Sequence, residues 1–190
     1  MIYFLRHGQT DYNASKRIQG TLEIPINEKG RGQARRNGSL LAELIESKDR
    51  FDFVASPFLR ARQTMEIVRD AMGVPAQGYR TDDRLKEISF GAWAGLTWPE
   101  IEARDPEAHA RRQADRWNVA APEGQSHRDM YQLVMEWLAE VTSDSIVVAH
   151  HGTARYLRGY FLKLAPAEIL DLDVPQDKVL MIEGDTLRWL

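Results

Sequence analysis

The chain contains no cysteine. That excludes disulfides, thiolate nucleophiles and Cys-rich zinc sites, and it fits a cytoplasmic protein. Long hydrophobic runs are also missing, since nothing approaches the ~20 apolar residues a bilayer-spanning helix needs. The opening run Ile2-Tyr3-Phe4-Leu5 is broken at Arg6 and has no basic lead, so it reads as a strand and not as a signal peptide. Neither sign of charge dominates: 25 Lys and Arg stand against 28 Asp and Glu, a formal net charge of -3. This is too small to call for nucleic acid or a membrane surface, so neither partner is expected and any anion site is local. Internal repeats and low-complexity segments are absent. What remains is an ordinary globular composition, 43% hydrophobic and 28% charged, over 190 residues. That is enough for one domain with a full core. Oligomeric state carries no sequence signature.

Along the chain, apolar runs alternate with amphipathic stretches. Ile2–Leu5 reads as a buried strand, followed by a polar loop from Gly8 to Pro25. Asn27 caps a helix to about Ser47. Residues 51–55 form a second strand, ended by Ser56-Pro57, and a helix runs from Phe58 to about Ala71. Tyr79–Leu85 is a weaker strand candidate. Residues 91–125 differ in being rich in Trp, Pro, Gly and charge, and are read as an insertion over the sheet edge, with short helices at 98–104 and 106–117. Ser126 caps an amphipathic helix to about Val141. Ser145–Ala149 is the clearest buried strand, followed by a helix from Thr153 to Leu164. An apolar stretch at 169–174 precedes 178–182 and 186–190, which face each other across Gly184-Asp185 as a hairpin. The pattern predicts an α/β protein: a three-layer α/β/α sandwich with a mostly parallel central sheet and an antiparallel edge.

Polar groups of chemical interest follow the strands. Arg6 and His7 follow the first, Ser56 and Arg60 the second, Glu87 the third and His150 the fourth. In a parallel sheet these ends share one edge, where ligands bind. Two arginines, two histidines and one carboxyl suit a phosphoryl group in transfer, whose charge is met by positioning and electrostatics. Arg6, Arg60 and a protonated His150 can supply that charge without a metal. His7 can attack phosphorus in line if its attacking nitrogen is unprotonated and the other nitrogen donates to a fixed acceptor. Glu87, if it starts protonated, can protonate the leaving oxygen and then help to activate water. Asn13 stands in the loop to donate one more hydrogen bond.

At this point the chain resembles the histidine phosphatase superfamily, the clan of cofactor-dependent phosphoglycerate mutases and related phosphatases. Leu5-Arg6-His7-Gly8-Gln9-Thr10 with Asn13 resembles its N-terminal signature, continued by Gln19-Gly20 and Asn27-Glu28-Lys29-Gly30. Ser56–Ala61 with Thr64 resembles a second block, Leu85-Lys86-Glu87 with Phe90-Gly91 and Gly95 a third, and Val147–His150 with Arg155 the last. Four ordered blocks are a far more specific signal than one tripeptide. The resemblance implies a phosphoglycerate mutase-like fold, one domain over 1–190 with a substrate-capping insertion at about 91–125, and no metal or other cofactor. It implies His7 as the phosphorylated histidine, Glu87 as the proton donor and Arg6, Arg60 and His150 as the phosphate pocket with Asn13 assisting. Gln19, Gly20 and His151 are further candidates for contact with substrate. Two departures stand out: His150-His151-Gly152 where the family has His-Gly, and Gly124-Gln125-Ser126 where a Gly-Glu-Ser is common.

The expected activity is metal-independent hydrolysis of a small phosphomonoester through a phosphohistidine. A phosphoglycerate mutase is the rival enzyme, and a non-catalytic phosphoryl-binding module the third reading. Mutases of the family carry a longer insertion between the acid and the last histidine and a mobile C-terminal tail, so by this resemblance the short Glu87–His150 separation and the terminal hairpin favour hydrolysis. Blander roles are assigned to other conspicuous residues. His109 and His127 sit in charged stretches and read as solvated. Trp93, Trp98 and Trp117 read as packing for the insertion. Arg111, Arg112 and Arg116 can reach a substrate carboxylate, but a solvated helix face explains them at least as well.

Overall fold

The computed structural model describes residues 1–190. Six strands form one sheet: β1 (Ile2–Arg6), β2 (Asp52–Ala55), β3 (Arg80–Thr81), β4 (Ser145–Ala149), β5 (Val179–Glu183) and β6 (Thr186–Trp189). Their order is β3-β2-β4-β1-β5-β6. β3, β2, β4 and β1 run parallel, while β5 is antiparallel to β1 and β6 to β5. The expected antiparallel edge is thus the C-terminal hairpin.

Side-chain alternation along the strands sorts the core into two faces. Tyr3, Leu5, Phe53, Ala55, Ile146 and Val148 pack on α2 (Glu28–Leu44) and α3 (Leu59–Ala71), through residues such as Leu41, Met65 and Val68. Phe4, Val54, Val147 and Ala149 pack the other way, onto α6 (His127–Ala139), α7 (His151–Phe161) and α8 (Pro166–Asp171), meeting Val134, Trp137, Leu157 and Ile169. Each wholly buried Leu or Val contributes about 1.5–3 kcal/mol on leaving water. This is the three-layer α/β/α sandwich with a mostly parallel sheet.

The helix caps agree with the sequence. The Asn27 side chain accepts from the Gly30 N–H, and Ser126 forms a capping box with Asp129. Several boundaries move. The expected strand at 79–85 shrinks to two residues, because the Asp82 side chain accepts from Arg84 N–H and starts a 3-10 turn at Asp83–Leu85. The polar loop holds a one-turn helix, α1 (Asp11–Ala14), closed by a reciprocal cap between Thr10 and Asn13. The stretch 166–171 is helical, with Pro166 in its first turn. In the 91–125 region, α4 is Trp98–Arg104 and α5 is Pro106–Ala114, ending before the Asp115–Asn118 turn rather than at Trp117. Trp93, Ile101 and Ala121 make a small apolar cluster there. No helix is long and apolar enough to cross a membrane.

Candidate active site

Backbone contact fixes the loop that carries the first motif. A Cβ added to Gly8 would stand 2.4 Å from the Gly30 carbonyl oxygen, and one added to Gly30 would stand 2.3 Å from that of Gln9. Only glycine at both positions lets the end of β1 lie against the first turn of α2. Thr64 then links this loop to α3, accepting from Gly8 N–H at 3.0 Å and donating to the Arg60 carbonyl at 2.7 Å.

His7, delivered by this loop, is 2% exposed. Its Nδ1 lies 2.8 Å from the Gly8 carbonyl oxygen. A carbonyl only accepts, so Nδ1 carries the proton and Nε2 keeps its lone pair. Burial, then Arg60 and Arg6, holds the His7 pKa well below its ordinary value, so the ring stays neutral. This matches the tautomer expected of a nucleophile.

His7 lines a cavity of about 530 Å³ with Arg6, Asn13, Gln19, Gly20, Arg60, Glu87 and His151. The candidates from four separate sequence blocks therefore meet around one volume. Arg60 is fully buried and donates through Nη1 to the Leu22 carbonyl and through Nη2 to that of Gly20. Arg6 donates to the Val174 carbonyl at 2.8 Å. Burial lowers both guanidinium pKa values to about 10, so both stay charged at neutral pH. The Nε of each is buried and has no hydrogen-bond partner in the protein. Asn13 uses its Oδ1 to accept from Thr10 N–H and from Gln176 Nε2, which leaves its amide nitrogen to donate into the cavity.

Glu87 is the one carboxyl in the cavity wall. Loss of water raises its pKa, and Arg60, the Ile88 N–H, Arg6 and the Gly152 N–H reverse that only in part. A Cβ on Gly152 would fall 2.7 Å from Glu87 Oε1, so this glycine, in the first turn of α7, lets the carboxyl approach.

His150 is brought to the same place from behind. It is fully buried, its ring centroid is 5.3 Å from that of His7, and it is not part of the cavity wall. Its Nε2 lies 2.7 Å from Ser56 Oγ and its Nδ1 is unpartnered. Burial, with Arg60, His7 and Arg6 around it, pushes its pKa well below normal. Burial therefore disfavours the protonated His150 considered from sequence. A neutral ring, its Nε2 accepting from Ser56 O–H, still offers Nδ1–H as a donor.

The sequence reading missed several neighbours. His127 is not solvated: it is 7% exposed, lines the cavity and sits with Nδ1 2.7 Å from the Tyr156 hydroxyl. Burial lowers its pKa to about 3, and that of His151 likewise. Arg112 is not on a solvated face either, being 2% exposed and set in the wall near Arg116 and Arg155. Arg111 is exposed, as expected. Gln176 donates to the His7 carbonyl at 2.9 Å. Nothing in the sequence around Gln176 signals that role, because only the return of the chain toward β5 brings it there. No group of three or more His, Cys, Asp or Glu side chains is arranged to hold a metal ion.

Buried cationic donors around a neutral, oriented histidine define a site built for a phosphoryl group. The chain belongs to the histidine phosphatase superfamily (branch 1), whose family model matches residues 2–190, and it is a phosphatase of that family. The glucosyl-3-phosphoglycerate phosphatase of Mycobacterium tuberculosis is 32% identical over 180 residues, covering 87% of this chain and 77% of that protein. A chicken 6-phosphofructo-2-kinase/fructose-2,6-bisphosphatase is 30% identical over 95% of this chain, which spans 37% of that longer protein. Among solved structures, a mycobacterial glucosyl-3-phosphoglycerate phosphatase in complex with VO3 aligns with a TM-score of 0.76 and 30% identity, covering 100% and 95% of the two chains. The same fold is seen in a putative α-ribazole-5'-P phosphatase from Escherichia coli, with a TM-score of 0.84, 21% identity and coverage of 100% and 94%.

Proposed function

We propose that this protein hydrolyses phosphomonoesters of small metabolites, without a metal ion, through a phosphohistidine at His7. In the first step His7 Nε2 attacks phosphorus in line. The P–N bond forms as the P–O ester bond breaks, and the leaving oxygen takes the bond pair and a proton from Glu87. In the second step water attacks phosphorus and gives a proton to the Glu87 carboxylate. The P–N bond breaks, and His7 and orthophosphate separate. Arg6, Arg60 and the Asn13 amide meet the equatorial oxygens in both steps, with His150 packed against His7 from behind. Gln19, Gly20 and His151 contact the rest of the substrate, and residues 91–125 cap it.

The single observation that carries this reading is the His7 Nδ1 to Gly8 carbonyl hydrogen bond. It fixes the nucleophilic tautomer in the wall of a cavity that also holds two cationic side chains and one carboxyl with a raised pKa. The small-metabolite class follows the relatives, glucosyl-3-phosphoglycerate phosphatase above all. In excess EDTA the protein is expected to release inorganic phosphate from p-nitrophenyl phosphate at an undiminished rate. Strict dependence on added metal contradicts the proposal.

A further inference from the structure

The segment between α8 and β5 passes beside the cavity without lining it, yet it holds three of the residues that do. The Leu172 carbonyl accepts from Arg155 Nε at 2.7 Å, and the Val174 carbonyl accepts from Arg6 Nη1 at 2.8 Å. Two residues further on, Gln176 reaches the loop after β1 with its side chain. Its Nε2 donates to the His7 carbonyl at 2.9 Å and to Asn13 Oδ1 at 3.1 Å. The Gln176 carbonyl in turn accepts from Asn37 Nδ2 at 3.2 Å, and Asn37 is a buried residue of α2. The backbone of Gln176 is thus tied to a helix, while its amide spans the nucleophile's own backbone and the Asn13 side chain.

The polarity of these contacts is forced from one end. The His7 carbonyl only accepts, so Gln176 must turn its NH2 toward it. The two N–H bonds of that nitrogen diverge, and the second is aimed at Asn13. The Asn13 atom that meets it must then be the oxygen. The Thr10 N–H, 3.1 Å from the same Oδ1, makes the same demand. Asn13 Nδ2 is left for the cavity, whose wall Asn13 shares with Arg6, His7 and Arg60. Turning the Asn13 amide over would set its NH2 against two donors, and turning Gln176 over would set its oxygen against two acceptors. Without the Gln176 amide, only the Thr10 N–H would resist rotation of Asn13.

We propose that Gln176 is a positioning residue for phosphoryl transfer: it carries the polarity of the His7 carbonyl to Asn13 and so holds the Asn13 NH2 toward the phosphoryl oxygens. This rests on the proposed function, since it places the phosphoryl group at His7. Gln176 touches neither substrate nor phosphate and acts through Asn13. A donor fixed in advance spends nothing on reorientation when charge develops on the oxygens.

Binding of orthovanadate, read by titration calorimetry, tests this without turnover. Four proteins are compared: wild type, Gln176→Met, Asn13→Ala and the double variant. Gln176→Met keeps the length of the side chain and removes both donors. It is expected to weaken Kd by about tenfold, the scale of one hydrogen bond to a charged group. In the Asn13→Ala background the same change should cost less than about twofold, because the group it positions is gone. An equal loss in both backgrounds overturns the proposal, as does an unchanged Kd for Gln176→Met alone. The Asn13 side-chain NH2 resonances, assigned by their absence from Asn13→Ala, give a second readout in the folded proteins. They should shift when vanadate is added to wild type and shift less, or double, in Gln176→Met. The same response in both proteins overturns the proposal. Failure of wild type to bind vanadate at all would instead speak against the reading of the His7 pocket.

Discussion

At the scale of residues, the pocket sets protonation by burial. His7 is neutral because it is dry and flanked by Arg60 and Arg6, and Glu87 is protonated more readily because water is removed from it. The Glu87 shift makes a two-sided prediction. A pKa raised in the folded state means that charging this carboxyl opposes folding above that pKa, with no penalty below its ordinary value of 4.5. Glu87→Gln should therefore raise Tm at about pH 8 and lose that gain at about pH 4. The same variant should lower kcat on an alkyl phosphate by about 10²–10⁴, with a smaller first-step loss on p-nitrophenyl phosphate, whose leaving group needs no proton. Thermal melts against pH and a stopped-flow burst measure both halves. A Tm that falls at about pH 8 contradicts the burial account. The candidate residues for this chemistry were legible in the sequence because each follows a strand. Arg112 and His127 were not, because each sits in a locally charged stretch that reads as solvated. Their burial comes from Phe90, Trp98 and Tyr156, 14 to 29 residues away in the chain and outside any local helix pattern.

At the scale of elements, the site depends on how closely backbone segments approach. β1 can deliver Arg6 and His7 only if its loop lies on the first turn of α2, and the Gly8–Gly30 contact sets that distance. Gly8→Ala should cost about 1–3 kcal/mol of stability by overpacking against backbone that cannot yield. It should also reduce kcat by displacing the carbonyl that fixes the His7 tautomer. Urea denaturation with a parallel rate assay checks both, and a neutral effect on each contradicts the role given to this contact. Long strands and capped helices were readable from periodicity and capping residues. The short pieces were not: β3 has two residues, and α1 is a single turn. Elements so small are set by their neighbours, β2 for the one and the Thr10–Asn13 cap for the other.

At the scale of the molecule, the four parallel strands of one mixed sheet bring four distant sequence blocks to one pocket. β3, β2, β4 and β1 end on the same edge, so Glu87, Arg60, His150 and Arg6-His7 converge although up to 144 residues separate them, as from Arg6 to His150. The fold class and this convergence followed from alternating strands and helices. The contents of the 91–125 region did not, because its short helices pack around Trp93 and take their orientation from contacts that no local pattern records. Under the proposed mechanism His7 carries the phosphoryl group between the two steps. Rapid mixing with p-nitrophenyl phosphate, an alkaline quench within milliseconds and mass analysis of peptides tests it directly. A base-stable, acid-labile phosphate is expected on the peptide holding His7, absent from a folded His7→Ala variant that no longer turns over. Phosphate found on another residue, or labelling and turnover that persist in His7→Ala, would contradict it.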